Sequence, residues 1–195
     1  MRQSNAYIII FSAIMTIILG GLLSITSVGL KPLQDQQVEL DTKRKILGAV
    51  MDISNLKTDQ EVIDLYAKRV KSSVVDINAQ PVETDDRGNP MIAERINIQK
   101  NHKRTKEERY YPIFKVMNEV DPTKVEAYVF PMFGAGLWDW ISGFVALEGD
   151  LNTVKGVAFD HKQETPGLGA RITDLEVRNR FKGKEIYNDG GDLVS

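Results

Sequence analysis

An uncharged run near the N-terminus constrains the fold of this chain more than any other feature. Residues 6–30 contain no charged side chain and are rich in Ile, Leu and Val. At a helical rise of ~1.5 Å per residue the run is roughly 37 Å long, which exceeds the ~30 Å hydrocarbon core of a bilayer. A buried core helix and a cleaved signal peptide are alternatives, although a signal peptide has only ~7–15 apolar residues. The sequence therefore predicts an uncleaved transmembrane anchor over residues 1–31, closed by Lys31 and Pro32.

The charges that flank this run do not settle its orientation. Arg2 is the only basic residue before it, whereas Lys31, Lys43, Arg44 and Lys45 follow it. The positive-inside rule applied to this count places the larger part of the chain in the cytoplasm. Three acidic residues lie in the same basic cluster, and charge alone leaves the side of the membrane undecided.

The composition excludes several classes of function. The chain has 25 Lys and Arg against 27 Asp and Glu, a net charge of −2, which gives no electropositive face for nucleic acid. It has no cysteine, so disulfides, iron–sulfur ligation and thiol nucleophiles are excluded. The two histidines, His102 and His161, are far apart in sequence and do not favour a zinc site. Asp160 and His161 point to opposite faces of a strand, so we predict a hydrogen-bonded structural histidine and no catalytic residue.

The rest of the chain reads as helices followed by strands. Apolar spacing predicts a helix over residues 36–53, and Thr58 with Glu61 forms a capping-box pattern that predicts a second one. Aromatic and β-branched residues dominate from residue 110 onward. The predicted strands cover residues 110–116, 125–131, 143–148 and 153–161. We therefore predict an α+β fold, in which one N-terminal transmembrane helix precedes a mixed α/β domain with antiparallel strands.

The C-terminal part is predicted to contain a helix and an unfinished hairpin. Residues 169–182 have helical periodicity. Residues 185–187 resemble a strand, residues 189–191 a turn and residues 192–195 the start of another strand. A truncated second arm leaves ladder hydrogen bonds unmade. We therefore expect residues beyond Ser195 to belong to this fold.

The turn at residues 164–169 has the residue types of a ligand-binding loop. Pro166 stiffens the turn, whereas Gly167 and Gly169 permit positive φ and close approach of a ligand to the backbone. Thr165 adds a hydroxyl, and a helix beginning at Gly169 adds free N–H donors. The alternative is an ordinary turn between a strand and a helix.

Residues 133–140 form a second candidate segment. Glycines alternate here with Trp138 and Trp140, whose indole rings suit offset stacking on a flat aromatic ligand. The alternative is a loop whose tryptophans cap the core. The glycines do not form a phosphate loop, because no Lys-Ser or Lys-Thr pair follows them.

The order of these features resembles the FMN-binding domain family. The resemblance rests on the N-terminal span, on Gly-Ala-Gly-Leu-Trp at residues 134–138 and on His-Lys-Gln-Glu-Thr-Pro-Gly-Leu-Gly at residues 161–169. Within that family it is strongest to the C subunits of bacterial sodium-translocating NADH:quinone oxidoreductases. The related G subunit of the Rnf electron-transport complex shares the turn and is the nearest alternative.

The resemblance implies a flavoprotein subunit that relays electrons through FMN from NADH towards ubiquinone, coupled to sodium export. Such a subunit is inactive alone, and its partners are the other subunits of a membrane-bound complex. The family implies the bacterial inner (cytoplasmic) membrane, with the main domain on the periplasmic side. It also implies that residues 32–109 connect the anchor to an FMN-binding domain at residues 110–195, incomplete at its C-terminus.

The family binds its flavin covalently, through a phosphate ester to Thr in a Ser-Gly-Ala-Thr-x-x-Thr-like motif. This sequence has no such motif, and its last threonine is Thr173. The missing motif also supports a membrane-anchored binding or structural module without flavin. The resemblance implies that the following residues line the flavin: Glu164, Thr165, Gly167, Leu168, Gly169 and, more weakly, Trp138.

Overall fold

The computed structural model describes residues 4–188 and 190–194. The chain divides into two compact units, with the division between Val38 and Glu39. The first helix, α1 (Asn5–Val50), contributes residues to both units.

The first unit consists of the apolar part of α1. Within the described residues, α1 is the one helix long and apolar enough to cross a membrane, and its apolar part is exposed in this structure. Two threonine hydroxyls within the run are satisfied by the helix itself. Thr16 donates to the Ser12 carbonyl at 2.8 Å and Thr26 to the Leu22 carbonyl at 2.5 Å. Polar side chains in lipid need such internal partners.

The predicted break between the apolar run and a separate helix at residues 36–53 is wrong. Pro32 lies inside α1, which also absorbs most of the separate helix predicted at residues 36–53. A proline lacks one N–H donor and strains the preceding turn, but it ends a helix only where the following residues do not continue it. Here the helical pattern resumes directly after Pro32, so α1 continues to Val50.

The second unit is built on a five-stranded antiparallel sheet in which each strand pairs with the next along the chain. The strands are β1 (Val70–Val75), β2 (Tyr111–Met117), β3 (Val125–Ala135), β4 (Trp140–Leu147) and β5 (Val154–His161). The predicted α+β fold with antiparallel strands is confirmed. β1 was not predicted, and β3 and β4 are longer than predicted, so only residues 136–139 remain as the tip of their hairpin.

Helix α2 (Asp59–Arg69) begins with the predicted capping box. The Glu61 backbone N–H donates to Thr58 Oγ1 at 3.3 Å, and the Thr58 N–H donates to Glu61 Oε2 at 3.2 Å. A short helix, α3 (Ile98–His102), lies between β1 and β2 in the chain.

The two faces of the sheet carry different cores. One face packs against α2 and the last turns of α1, and its largest fully buried side chains are Ile46, Leu47, Val62, Phe114, Val116 and Val129. The opposite face carries a smaller cluster, formed by Leu147, Val154 and Val157 with Phe130, Phe159, Phe181 and Ile186. The C-terminal segment therefore covers part of the second face.

The single helix predicted at residues 169–182 is wrong. The structure has a 3₁₀ helix at Gly169–Thr173 and a one-turn helix, α4 (Leu175–Asn179). Asp174 separates them with an extended backbone, at φ −63° and ψ 142°. The β-branched residues Ile172 and Thr173 just before it have lower helix propensity, which explains why the periodicity was misleading.

The end of the chain partly matches the predicted hairpin. Isolated bridges pair Thr153 with Glu185 and Tyr187 with Leu193. The Asp192 N–H donates to Asn188 Oδ1 at 2.9 Å across the turn. Asp189 and Ser195, which belong to the predicted turn and second arm, lie outside the described residues.

The close contact between the end of α1 and strand β5 leads to a stability prediction. A Cβ atom at Gly156 would collide with the Ala49 carbonyl oxygen at the end of α1. Gly156→Ala must push this backbone away, and overpacking of this kind costs about 1–3 kcal/mol. We expect a lower free energy of unfolding by that amount, measured by denaturant titration of the whole chain in detergent. Gly149→Ala is the matched control, because open space surrounds Gly149. Equal stability of the two variants would contradict the close contact between the Ala49 carbonyl and Gly156.

Candidate functional site

The tip of the β3–β4 hairpin is a tight turn fastened at its base. The Gly136 N–H donates to the Asp139 carbonyl at 2.8 Å. The Asp139 carboxylate accepts from the Trp140 N–H at 2.7 Å and pairs with Lys162 Nζ at 3.2 Å. The Trp140 N–H, with a smaller contribution from Lys162, lowers the pKa of the Asp139 carboxyl below its ordinary value. These contacts join the hairpin tip to the residues that follow β5.

The segment after β5 folds into a second tight turn. The N–H groups of Leu168 and Ala170 both donate to the Thr165 carbonyl, at 3.1 and 3.2 Å. Gly167 has φ +79°, so the predicted need for a glycine at this position is confirmed. Gly169 has no positive φ, so its backbone conformation does not require a glycine at this position.

The predicted free N–H donors of a helix beginning at Gly169 are not present in that form. The segment is a five-residue 3₁₀ helix, and the Ala170 and Arg171 N–H groups donate to the Thr165 and Leu168 carbonyls. These two donors are therefore engaged within the turn.

Glu164 connects the two turns. Its side chain is buried, with only 6% of the residue exposed, and its Oε1 accepts from the Trp138 backbone N–H at 3.1 Å. A Cβ atom at Gly136 would collide with Oε1 and with the Asp139 carbonyl, and one at Gly169 would collide with Oε2. The carboxylate therefore lies directly against the backbone of both turns, and it leaves no room for a side chain at either glycine.

Three large apolar side chains next to these glycines are exposed. Leu137, Trp138 and Leu168 are exposed by 81%, 69% and 72%, respectively; we call them the apolar rim. Leu137 and Trp138 follow Gly136, and Leu168 precedes Gly169. Because Glu164 joins the two turns, the rim residues come from neighbouring segments. A contiguous exposed apolar patch is typical of a ligand or partner surface, and these three residues are the candidates for one here.

The structure separates the two tryptophans that the sequence grouped together. The Trp140 ring stacks on Phe133, with ring centroids 4.9 Å apart, and Phe133 contacts the His102 ring at 5.3 Å. Trp140 therefore packs against its own sheet. Only Trp138 belongs to the apolar rim, and it is exposed enough to contact a flat ligand.

His161 differs from the prediction of a hydrogen-bonded structural residue. Its Nδ1 is buried and has no hydrogen-bond partner among residues 4–188 and 190–194. The expected alternation is present, because Asp160 contacts Lys45 Nζ at 2.5 Å whereas His161 lies on the opposite face. The His161 ring can form hydrogen bonds, and His161 lies only three residues before Glu164 in the chain. Sequence reasoning missed it, and only burial reveals it.

Taken together, these groups suit binding rather than nucleophilic catalysis. Within the apolar rim, the Trp138 indole offers a flat surface for stacking and the two leucines offer apolar contact; the exposed Thr165 offers a hydroxyl in the same turn as Leu168. Leu137 was not predicted, because nothing in its sequence context distinguishes an exposed leucine from a buried one. The six residues predicted to line a ligand all lie in or next to the two turns that Glu164 joins.

Comparisons with known proteins agree on one family. The FMN-binding domain family matches residues 136–193, which begin at the hairpin tip and include both turns. The C subunit of the Na(+)-translocating NADH-quinone reductase of Pasteurella multocida is 30% identical over 197 residues, covering 92% of this chain and 70% of that protein. Its counterpart in Vibrio alginolyticus is 31% identical over 180 residues, covering 86% of this chain and 67% of that protein.

Solved structures show the same relationship. The crystal structure of the C subunit from Parabacteroides distasonis is 30% identical, with a TM-score of 0.68, and the match covers 85% of this chain and 74% of that one. NqrC of Shewanella oneidensis is 29% identical, with a TM-score of 0.64, and the match covers 81% of this chain and 75% of that one. The resemblance predicted from the two glycine-containing segments is confirmed. This chain belongs to the family formed by the C subunits of the Na(+)-translocating NADH-quinone reductases.

Proposed function

We propose that this chain is a flavoprotein subunit that relays electrons through FMN within a Na(+)-translocating NADH:quinone oxidoreductase. One observation carries the proposal: the FMN-binding family match over residues 136–193 coincides with the two turns joined by Glu164 and with the apolar rim. When bound, FMN supplies the redox chemistry by accepting and passing on electrons. The protein supplies the position and surroundings of the ring.

The residues present fit such a ring. The isoalloxazine of FMN is flat and apolar on its faces and polar along its edge. The apolar rim provides surfaces for the faces, and the Thr165 hydroxyl provides a partner for the edge. Gly167 and Gly169 keep the turn free of side chains next to Leu168. The proposed cofactor-binding residues are Glu164, Thr165, Gly167, Leu168, Gly169 and Trp138.

The charges near the site are few and mostly paired. Asp139 and Lys162 neutralise each other across the base of the hairpin, at 3.2 Å. The Glu164 carboxylate has no cation among its described contacts and accepts only the Trp138 N–H. A negative charge close to a redox ring opposes the addition of electrons by Coulomb repulsion. Glu164 would therefore lower the midpoint potential of a flavin held at the rim.

Helix α1 and the family suggest where the protein works. We propose that residues 1–31 anchor it in the bacterial inner membrane, that residues 32–109 connect the anchor to the domain, and that residues 110–195 belong to the FMN-binding domain. Its partners are the other subunits of the reductase complex. We place the domain on the periplasmic side, as the family resemblance implies. The basic residues after the span do not oppose this side, because long domains translocate largely regardless of nearby charge.

The first prediction tests the relay itself. The protein purified from its own membranes should show the visible absorption bands of an oxidised flavin. It should not oxidise NADH with quinone present, since the sequence has no dinucleotide-binding fingerprint after a strand. The intact membranes are the positive control for NADH oxidation. Absence of flavin would exclude the relay, and NADH turnover by the isolated protein would show that it is more than a relay.

The second prediction tests the apolar rim. Leu168→Ala removes about 2 kcal/mol of apolar contact if this leucine covers the ring. We expect iodide to quench flavin fluorescence more strongly in this variant than in the unmodified protein, because the ring becomes accessible to solvent. Leu175→Ala is the matched control, since Leu175 is 65% exposed but lies outside both turns. Equal quenching in the two variants would remove Leu168 from the site.

The third prediction tests the orientation. The chain has no cysteine, so a single introduced thiol reports its own position. Val120 is 93% exposed and follows β2, which makes Val120→Cys a suitable probe of the domain. We expect a membrane-impermeant maleimide to label it in intact spheroplasts. Ser4→Cys, at the other end of the apolar run, should react only after permeabilisation; the reverse pattern would place the domain in the cytoplasm.

A further inference from the structure

We infer that Glu164 is a positioning residue, which holds the hairpin tip and the turn after β5 at a fixed separation. It thereby fixes the positions of Trp138 and Leu168 relative to the flavin. This inference rests on the proposed function and refines it. Glu164 belongs to the proposed cofactor-binding residues because it holds in place the two segments that would contact the ring.

The first support is the environment of the carboxylate. Only 6% of Glu164 is exposed, and a buried carboxylate is unfavourable unless it is hydrogen-bonded. In the described part of the chain, its hydrogen bond is the one from the Trp138 backbone N–H at 3.1 Å. A hydrogen bond to an ionised acceptor is stronger than a neutral one. The backbone of Trp138 is therefore held where the carboxylate requires it.

The second support is the pair of glycines on either side. Gly136 lies against Oε1 and Gly169 against Oε2 so closely that neither position has room for a Cβ atom. Neither glycine has a positive φ, so backbone conformation does not require glycine at either position. Gly167, by contrast, has φ +79° and open space around it. Gly169 thus makes room for the carboxylate, Gly136 makes room for both the carboxylate and the Asp139 carbonyl, and Gly167 serves the turn.

The consequence concerns the apolar rim. Leu137 and Trp138 stand on one side of the carboxylate and Leu168 on the other, because their neighbours Gly136 and Gly169 touch its two oxygens. Lys162 makes two further contacts between the segments. Its Nζ pairs with the Asp139 carboxylate and its backbone N–H donates to the Trp140 carbonyl, both at the base of the hairpin. Loss of the carboxylate, or its displacement, leaves the base joined but lets the rim spread.

The experiment compares four variants of the whole protein purified from membranes, with Trp138→Phe as a fifth variant that lacks the indole ring. Glu164→Ala removes the carboxylate, and Gly136→Ala displaces it while leaving it present. Glu164→Gln retains an oxygen that can accept the Trp138 N–H. Gly134→Ala is the matched control in the same hairpin, because nothing lies within 4 Å of a Cβ there. The readouts are the quenching of flavin fluorescence by Trp138, the flavin midpoint potential and the thermal unfolding temperature.

The quenching due to Trp138 is the difference in flavin fluorescence between the unmodified protein and Trp138→Phe. We expect Glu164→Ala and Gly136→Ala to lose this quenching. Glu164→Gln should keep the quenching but raise the midpoint potential, because it removes a negative charge without releasing Trp138. Gly134→Ala should change neither quantity. If Glu164→Ala fails to fold, Gly136→Ala and Glu164→Gln still decide the question.

The outcomes separate the inference from the proposed function. Quenching that is unchanged in Gly136→Ala, or lost equally in Glu164→Gln and Glu164→Ala, would overturn the positioning role while leaving the flavin relay intact. A purely structural role would lower the unfolding temperature of Glu164→Gln together with its quenching. Absence of flavin from the unmodified protein would instead refute the proposed function.

Discussion

The contact between the last turns of α1 and the sheet supports the rest of the domain. Ile46 and Leu47 are fully buried there, and the Ala49 carbonyl rests on the backbone of Gly156. Arg178 strengthens the same contact, since its guanidinium donates to the Val157 carbonyl at 2.8 Å and to the Gly48 carbonyl at 2.6 Å. One side chain thereby joins the end of α1, strand β5 and helix α4. The C-terminal segment that carries half of the candidate site is fastened through this junction.

The order of the strands brings the two halves of the site together. Because each strand pairs with the next, the β3–β4 tip lies beside the end of β5. The turn after β5 then meets the hairpin tip, although β4 and β5 separate the two turns in the chain. Glu164 uses this proximity to join the two turns. The sheet thus supplies the juxtaposition, and a single carboxylate sets its spacing.

Local signals could be predicted from the sequence, whereas interactions between distant residues could not. The capping box at Thr58 and the positive φ of Gly167 depend on residues within one turn, and both are confirmed. The continuation of α1 through Pro32 and the break at Asp174 could not be predicted from apolar periodicity. Periodicity measures neither the hydrogen bond that a helix loses at a proline nor the contacts that a continued helix gains. The burial of Glu164 depends on glycines 28 residues before it and 5 after it, so the motif indicated its importance but not its role.

The pairing of each strand with its successor also bears on how the domain acquires its cofactor. Proteins dominated by contacts between neighbours in sequence fold faster than those that must close long loops. The groups of the candidate site lie between Gly136 and Gly169, within the last two strands and the turn that follows them. The candidate site is therefore complete only once β4 and β5 have paired, so a ligand that needs both turns has its full set of contacts only in the folded sheet.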